Sequence, residues 1–124
     1  MLKYIIAALL AASGAAAHEM TPTYFDLKPS IVDSLYTTQM RVFNRRNDAS
    51  FYRMEAYTED WTPLPYASFT REFTLNYGEG IQADLYFSES DLDRIVYICS
   101  RSIRKQYNDT AITSLICSKI RKEE

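Results

Sequence analysis

The sequence predicts one all-β domain in which about seven short strands form a two-sheet sandwich. Apolar and polar residues mostly alternate along the chain, which is the pattern of strands that bury one face. Ten tyrosines and six phenylalanines against only three glycines also favour strands, because aromatic side chains fit a pleated, half-buried surface. Polar turn signals recur about every ten residues, the spacing expected of a sandwich.

The first 17 residues are predicted to be a secretory signal peptide. A short start containing Lys3, an apolar run over residues 4 to 12 and small residues at 15 to 17 form its three regions. The apolar run is too short to span a bilayer, which needs about 20 apolar residues. We therefore expect an exported protein, periplasmic or extracellular, that is cleaved after Ala17, begins at His18 and does not insert into the membrane afterwards.

The first two predicted strands each show the alternation of a β-strand. In the first, Thr23, Phe25 and Leu27 share a face, and Pro22 marks an edge strand because proline cannot donate to a ladder. The second strand runs from about residue 35 to residue 44 and is expected to face the core with its even-numbered side chains. These are Tyr36, Thr38, Met40 and Val42.

A third strand, residues 50 to 58, is followed by a segment that cannot belong to a ladder. In this strand Tyr52, Met54 and Ala56 lie on one face, opposite Phe51, Arg53 and Glu55. Residues 59 to 67 contain the only tryptophan, Trp61, and two prolines. This segment is therefore predicted to be a crossing loop or an edge segment.

The fourth and fifth strands are predicted at residues 68 to 75 and 81 to 87, on either side of the strong turn signal at 76 to 80. The fourth is expected to bury Phe69, Phe73 and Leu75, although Arg71 interrupts that face. The fifth strand alternates cleanly. The polar segment that follows is predicted to form a corner, with a single helical turn capped by Ser88 or Ser90.

The sixth strand has the spacing of strand F in an immunoglobulin-like sandwich. Asp93, Tyr97 and Cys99 occur in the order in which a tyrosine hydroxyl ties that strand to the preceding corner. Asp93 and Tyr97 are therefore predicted to form a structural corner. The seventh strand, from residue 110 to about Ile120, completes a seven-stranded immunoglobulin-like domain over residues 18 to 120. Residues 121 to 124 form a charged tail.

Cys99 and Cys117 are the only cysteines, and we expect a disulfide between the last two strands. An even count in an exported protein is more often a disulfide than a metal pair or a nucleophile. If the cysteines lie opposite each other, Tyr97, Cys99, Leu115 and Cys117 share one face. The other face then carries Val96, Ile98, Ile112, Ile116 and Ile120.

Both faces of this terminal hairpin are apolar, and only one of them can face the core. The surplus face is covered by a tail, buried in an oligomer or offered to a partner. We take the isoleucine-rich face, Val96, Ile98, Ile112, Ile116 and Ile120, as the candidate partner-binding set. In the alternative arrangement the isoleucines form the core and the disulfide closes the hairpin on the outside.

Several features together resemble the N-terminal domain of periplasmic pilus-assembly (PapD-like) chaperones. They are a bridge between the last two strands, Thr21-Pro22-Thr23, the strand-ending Asn44, Tyr52 in the next strand and the turn at 75 to 80 before Gln82. The resemblance implies a PapD-like sandwich that binds a protein by β-strand addition. The stretch from His18 to Lys119 is also similar to short exported proteins of unassigned role from tailed phages of marine bacteria.

The chain also departs from the chaperone pattern. Family chaperones have a second immunoglobulin-like domain, whereas this sequence continues for only one. They anchor a subunit's terminal carboxylate with an arginine on the first strand and a lysine at the start of the last. Here residues 20 to 27 contain no arginine, and Lys105 is a loose match for the lysine.

Few residues could carry chemistry, and we predict neither an enzyme nor a cofactor. The sequence has no nucleophile elbow, phosphate-binding glycine loop or triad. The acidic pairs at 59–60 and 91–93 are interpreted as solvated turn residues, with no metal-binding spacing. His18, the only histidine, would begin the mature chain as in copper-binding sandwiches, but such a site needs a second histidine. The net charge of −2 disfavours nucleic acid as a partner.

The sequence therefore predicts an exported, non-enzymatic module that binds or assembles a protein through the edge and outer face of its last strands. An alternative is a structural surface or virion decoration protein that self-associates through the same strands. A copper-binding sandwich that uses His18 is a third hypothesis.

Overall fold

The computed structural model describes residues 18–47, 51–103 and 113–122, which form two packed β-sheets. The strands, in chain order, are β1 (Glu19–Thr21), β2 (Tyr24–Phe25), β3 (Lys28–Pro29), β4 (Leu35–Phe43), β5 (Phe51–Tyr57), β6 (Glu72–Thr74), β7 (Gly80–Ser88), β8 (Tyr97–Ile103) and β9 (Leu115–Ile120). In these residues one 3-10 turn, Glu89–Asp91, is the only helical segment. Among the described residues, no helix is long and apolar enough to cross a membrane.

The first sheet is organised around β4. This strand pairs antiparallel with β7 along its whole length, from Leu35 opposite Ser88 to Phe43 opposite Gly80. Strands β1 and β3 share its other edge. The even-numbered side chains of β4 turn inward as predicted, since those of residues 38, 40 and 42 are buried.

The second sheet has the order β2–β9–β8–β5–β6. Strand β2 pairs parallel with β9, and the other neighbours are antiparallel. The start of the domain therefore contributes to both sheets, with β1 in the first, β2 in the second and Pro22 between them. A proline at this crossover interrupts no ladder, because the chain is changing sheets there.

The core lies between the inner faces of the two sheets. The side chains of Tyr52, Met54 and Ala56, which share one face of β5, are buried, and Phe25 on β2 is fully buried. The remaining buried apolar residues are Met20, Met40, Val42, Leu64, Leu75, Ala83, Leu85, Phe87, Ile95 and Ile98. Burial of a large apolar side chain contributes about 1.5–3 kcal/mol, so this cluster is the main source of stability.

The fourth predicted strand is wrong over most of its length. Only Glu72–Thr74 pairs with β5, because the chain before it crosses from the first sheet to the second. Ala67 bridges to Tyr86, and the Met54 N–H donates to the Arg71 carbonyl. Phe69 is fully exposed instead of buried. Arg71, which interrupted the predicted face, points outward over a tyrosine ring.

The corner after β7 is formed as predicted. Ser88 caps the 3-10 turn, since its side chain accepts a hydrogen bond from the Ser90 N–H. At the opposite end of the sandwich, buried Asn44 joins three strands. Its Oδ1 accepts from the Tyr52 hydroxyl at 2.5 Å, and its Nδ2 donates to the Leu75 carbonyl at 2.9 Å. These contacts hold the end of β4 against β5 and against the residue that follows β6.

Candidate functional site

The terminal hairpin β8–β9 is closed by the predicted disulfide. Cys99 and Cys117 lie directly opposite each other, with an S–S distance of 2.01 Å and a Cα–Cα distance of 4.0 Å. A disulfide is consistent with export, because such bonds persist in oxidising compartments. The signal peptide at 1–17 lies outside the described residues and stays a prediction.

The isoleucine face of this hairpin is the core face. On β8, Ile98, Ser100 and Ser102 point inward with at most 1% exposure, whereas Tyr97 and Arg101 lie on the opposite face. On β9, Ile116 and Ile120 are partly buried against the core. Of the two arrangements left open by the sequence, the structure shows the one in which the isoleucines face the core and the disulfide lies on the opposite face of the hairpin, where Cys99 is nevertheless covered.

This placement corrects part of the candidate partner-binding set. Ile98 is fully buried in the closed sandwich, so it has no surface to offer and is removed from the set. Ile116 and Ile120 keep partial exposure, as does Val96, which precedes β8. Ile112 lies outside the described residues. The partly exposed members of this set are therefore Val96, before β8, and Ile116 and Ile120 on β9.

In the described residues, one edge of β9 has a strand partner along only part of its length, and we call the remainder the open edge. Strand β2 pairs only with Lys119 and Ile120. In the described residues no strand pairs with Leu115–Ser118 on the side away from β8. The Lys119 N–H donates to the Thr23 carbonyl on this side, whereas the Ile120 N–H donates to the Val96 carbonyl on the β8 side. Because hydrogen-bonding direction alternates along a strand, the backbone N–H and C=O groups of Leu115 and Cys117 point to the open edge.

The outer face of the second sheet is rich in aromatic side chains. The Trp61 and Tyr97 rings are stacked, with centroids 4.0 Å apart and an interplanar angle of 5°. Tyr24, Trp61 and Leu115 on this face are between 40% and 54% exposed. Tyr97 was predicted to bond to the preceding corner with Asp93. Instead its ring lies under Trp61, Asp93 is exposed, and no hydrogen bond joins them within the described residues.

A charged network borders the disulfide on the same face. The Glu55 carboxylate accepts from Arg101 Nε at 3.0 Å, from Arg53 Nε at 3.0 Å and from the Tyr57 hydroxyl at 2.6 Å. Burial raises the pKa of Glu55, but these three hydrogen bonds outweigh it and lower the pKa below its usual value. Glu55 therefore stays ionised and holds both arginines against the sheet.

His18 lies inside the sandwich and not at a surface metal site. Its Nε2 donates to the Ser100 carbonyl at 3.0 Å, which leaves Nδ1 to accept from the Ser114 hydroxyl at 2.8 Å. The ring also packs edge-on against Tyr52, 4.9 Å between centroids. The described residues contain no group of three or more His, Cys, Asp or Glu side chains that could hold a metal. The geometry gives the copper hypothesis no support.

Burial of His18 has a consequence for stability. Burial lowers the pKa of His18 below its ordinary value of 6.5, the hydrogen bond to Ser100 opposes this, and the charge of Arg46 lowers the pKa further. The unfolded chain therefore binds a proton at a higher pH than the folded domain. By linkage, stability is full above about pH 6.5 and falls as the pH drops toward the lower folded pKa.

We expect His18→Gln to weaken this pH dependence, because glutamine presents a neutral donor near the position of Nε2. Between about pH 7 and pH 5 the wild-type domain should lose up to about 1.4 kcal/mol per pH unit more than the variant. Urea unfolding of both proteins across this range measures the difference. Parallel curves would show that His18 does not control acid stability.

Sequence reasoning missed two parts of this region. The serine cluster around His18 is formed by residues 100, 102 and 114. From alternation alone, these serines would be interpreted as small core residues. The Trp61–Tyr97 stack joins a loop to a strand 36 residues later. The one signal for it was a lone tryptophan beside two prolines.

Comparison with known proteins supports the fold. No protein-family profile matches the chain, and no curated protein sequence matches it. Among solved structures, the E. coli chaperone DraB matches with a TM-score of 0.61 and 16% sequence identity. The match covers 84% of this chain and 53% of the DraB chain, so this chain spans about half of that structure. The all-β sandwich with a disulfide between its last two strands is confirmed and its fold is similar to that of DraB, while the similarity to phage proteins stays a prediction.

Proposed function

We propose that this chain is an exported, non-enzymatic module that binds another protein through the open edge of β9 and the outer face of β8 and β9. The open edge at Leu115 and Cys117 carries the proposal, because unpaired groups on an extended strand recruit a further strand. The fold shared with the chaperone DraB is in keeping with this role.

The hairpin is suited to strand addition because its edge is held in place before a partner arrives. The disulfide fixes the register of β9 on β8, and ordering an edge in advance lowers the entropic cost of binding. Successive side chains of an added strand would lie alternately beside Leu115 on the outer face and beside partly buried Ile116 on the core side. Backbone pairing would supply affinity, and these two side chains would contribute to selectivity.

Leu115→Pro tests the open edge. Proline removes the N–H that points away from β8, and an edge strand tolerates proline at such a position. Leu115→Ala is the matched control, since it removes the side chain and keeps the N–H. In crosslinking capture from the exported fraction of the native host, we expect wild type and Leu115→Ala to retain the same partner and Leu115→Pro to lose it.

A second candidate is self-association, which the exposed Tyr24, Trp61 and Leu115 side chains on the outer face favour. Exposed apolar patches of this kind often mark contacts between protein copies. Size-exclusion chromatography with light scattering separates the two candidates. A stable homo-oligomer at submicromolar concentration would favour a self-assembling structural protein over a module that binds a different partner.

A further inference from the structure

The loop that carries Trp61 is held in a costly conformation. Trp61 has a backbone φ of 65°, which is rare for a bulky residue. Hydrogen bonds within the loop stabilise it: the Trp61 N–H donates to the Thr58 carbonyl at 3.0 Å, and the Thr58 N–H donates to the Thr62 carbonyl at 2.9 Å. The hydroxyls of both threonines donate to Asp60 Oδ1. The loop therefore fixes the position of the indole.

The indole of Trp61 is partly exposed. One of its faces is stacked on Tyr97, and Tyr57 packs at a tilt with ring centroids 5.6 Å apart. The residue is nevertheless 49% exposed. Because Tyr97 already holds the Trp61 side chain in place, this side chain loses little conformational freedom when a ligand binds to it.

The surroundings of the indole are acidic. An open depression beside the loop is lined by Glu59, Asp60 and Asp93, and Glu59 and Asp60 directly precede Trp61 in the chain, although Trp61 itself does not line it. None of these three makes an ion pair within the described residues. Arg94 also lines the depression, but it pairs with Asp91 at 3.1 Å. Hydrogen bonds from the Thr58 and Thr62 hydroxyls lower the pKa of Asp60, so its charge persists in mildly acidic solution.

One basic residue lies on the far side of the stack. Lys119 on β9 is opposite Tyr97 in register and belongs to the strand beyond it, away from the loop.

We propose that Trp61 and the adjacent carboxylates form a docking point for a lysine or arginine side chain of the partner protein. This proposal rests on the proposed function, because it assumes that the ligand is a protein. A cation above an indole face is attracted by the ring, and tryptophan is the best aromatic residue for this contact. The nearby carboxylates complement the same charge, which selects a basic side chain over a neutral one.

Trp61 is the only tryptophan in the chain, so its fluorescence reports this site directly. The probes are the peptides acetyl-Gly-Arg-Gly-amide and acetyl-Gly-Lys-Gly-amide, with the neutral isostere acetyl-Gly-citrulline-Gly-amide as control. We expect a saturable change in Trp61 emission and in the indole N–H NMR signal with both basic peptides. The response to the citrulline peptide should need at least fivefold more peptide.

A charge variant gives the second arm of the test. Glu59→Gln combined with Asp93→Asn should weaken the response to the arginine peptide at least fivefold, whereas Glu72→Gln on β6 should leave it unchanged. An equal response to citrulline, no response to either basic peptide, or no effect of the double variant would overturn the proposal. So would a Trp61 response to neutral maltohexaose alone, or an emission change that follows protein concentration, which would indicate a sugar or a second copy.

The peptide test is independent of the β9 edge. Leu115→Pro should leave the response of Trp61 to the arginine peptide unchanged. Loss of partner capture in Leu115→Pro together with a silent Trp61 would refute only the docking point. A responsive Trp61 together with undiminished capture by Leu115→Pro would refute only the role of the edge.

Discussion

Replacing Ile98 with alanine is expected to lower the free energy of unfolding by about 2–5 kcal/mol. Ile98 is fully buried and belongs to the core cluster between the sheets. Truncation removes apolar contacts and leaves a cavity that the two sheets cannot close completely. Because small domains are stable by only about 5–15 kcal/mol, the variant should unfold at a clearly lower urea concentration.

Leu115→Ala is the control for this experiment, since Leu115 lies on the other face of the same hairpin and is 40% exposed. Surface substitutions of this kind usually change stability by within about 0.5 kcal/mol. Urea unfolding of both variants with the disulfide intact therefore reports which face is the core. A larger loss of unfolding free energy in Leu115→Ala than in Ile98→Ala would show that the hairpin has the opposite orientation, with Leu115 facing the core.

Removing the disulfide is expected to cost about 3 kcal/mol. The bond joins residues 18 positions apart, and closing a loop of that length restricts the unfolded chain by about this amount on the chain-entropy estimate. In a domain of this size such a loss corresponds to a decrease in Tm of more than about 10 °C. Thermal unfolding of the Cys99→Ala, Cys117→Ala double variant measures it.

Wild-type protein reduced with dithiothreitol is the matched control, because Cys99 is fully buried and reduction keeps the volume of both side chains. The difference between the double variant and reduced wild type isolates the effect of lost side-chain atoms. If reduction alone changed the free energy of unfolding by less than about 1 kcal/mol, the bridge would not be a main source of stability.

Strands with strict alternation could be predicted from the sequence. The inward residues of β4, the alternation along β5 and the pairing of Cys99 with Cys117 agree with the structure, because a one-residue slip would turn every buried side chain to solvent. Alternation also defined the two faces of β8 and β9. It could not decide which face was the core, because both were apolar.

The errors occur where the chain leaves its ladder. Phe69 looked like a core residue by spacing, but the segment before β6 crosses between sheets and turns it outward. Tyr97 matched a corner signature, yet a loop residue that arrives from another part of the chain covers its ring. Such contacts depend on tertiary geometry, which local patterns do not encode.

The same limit applies to the candidate site. The sequence pointed to the last two strands, and the structure narrowed this to one edge of β9 and to the aromatic outer face. Whether β2 would cover that edge could not be judged from the sequence. Its pairing with β9 extends over two residues only, Lys119 and Ile120, because the chain returns to the first sheet at β3.

The most direct test of the central claim is the affinity of the captured partner for Leu115→Pro relative to Leu115→Ala. Loss of one backbone hydrogen bond, with an acceptor on the partner left unsatisfied, costs about 1–3 kcal/mol. We therefore predict at least roughly fivefold weaker binding to Leu115→Pro, measured by calorimetry on proteins of equal thermal stability. Equal affinity of the two variants would contradict partner binding through the open edge of β9.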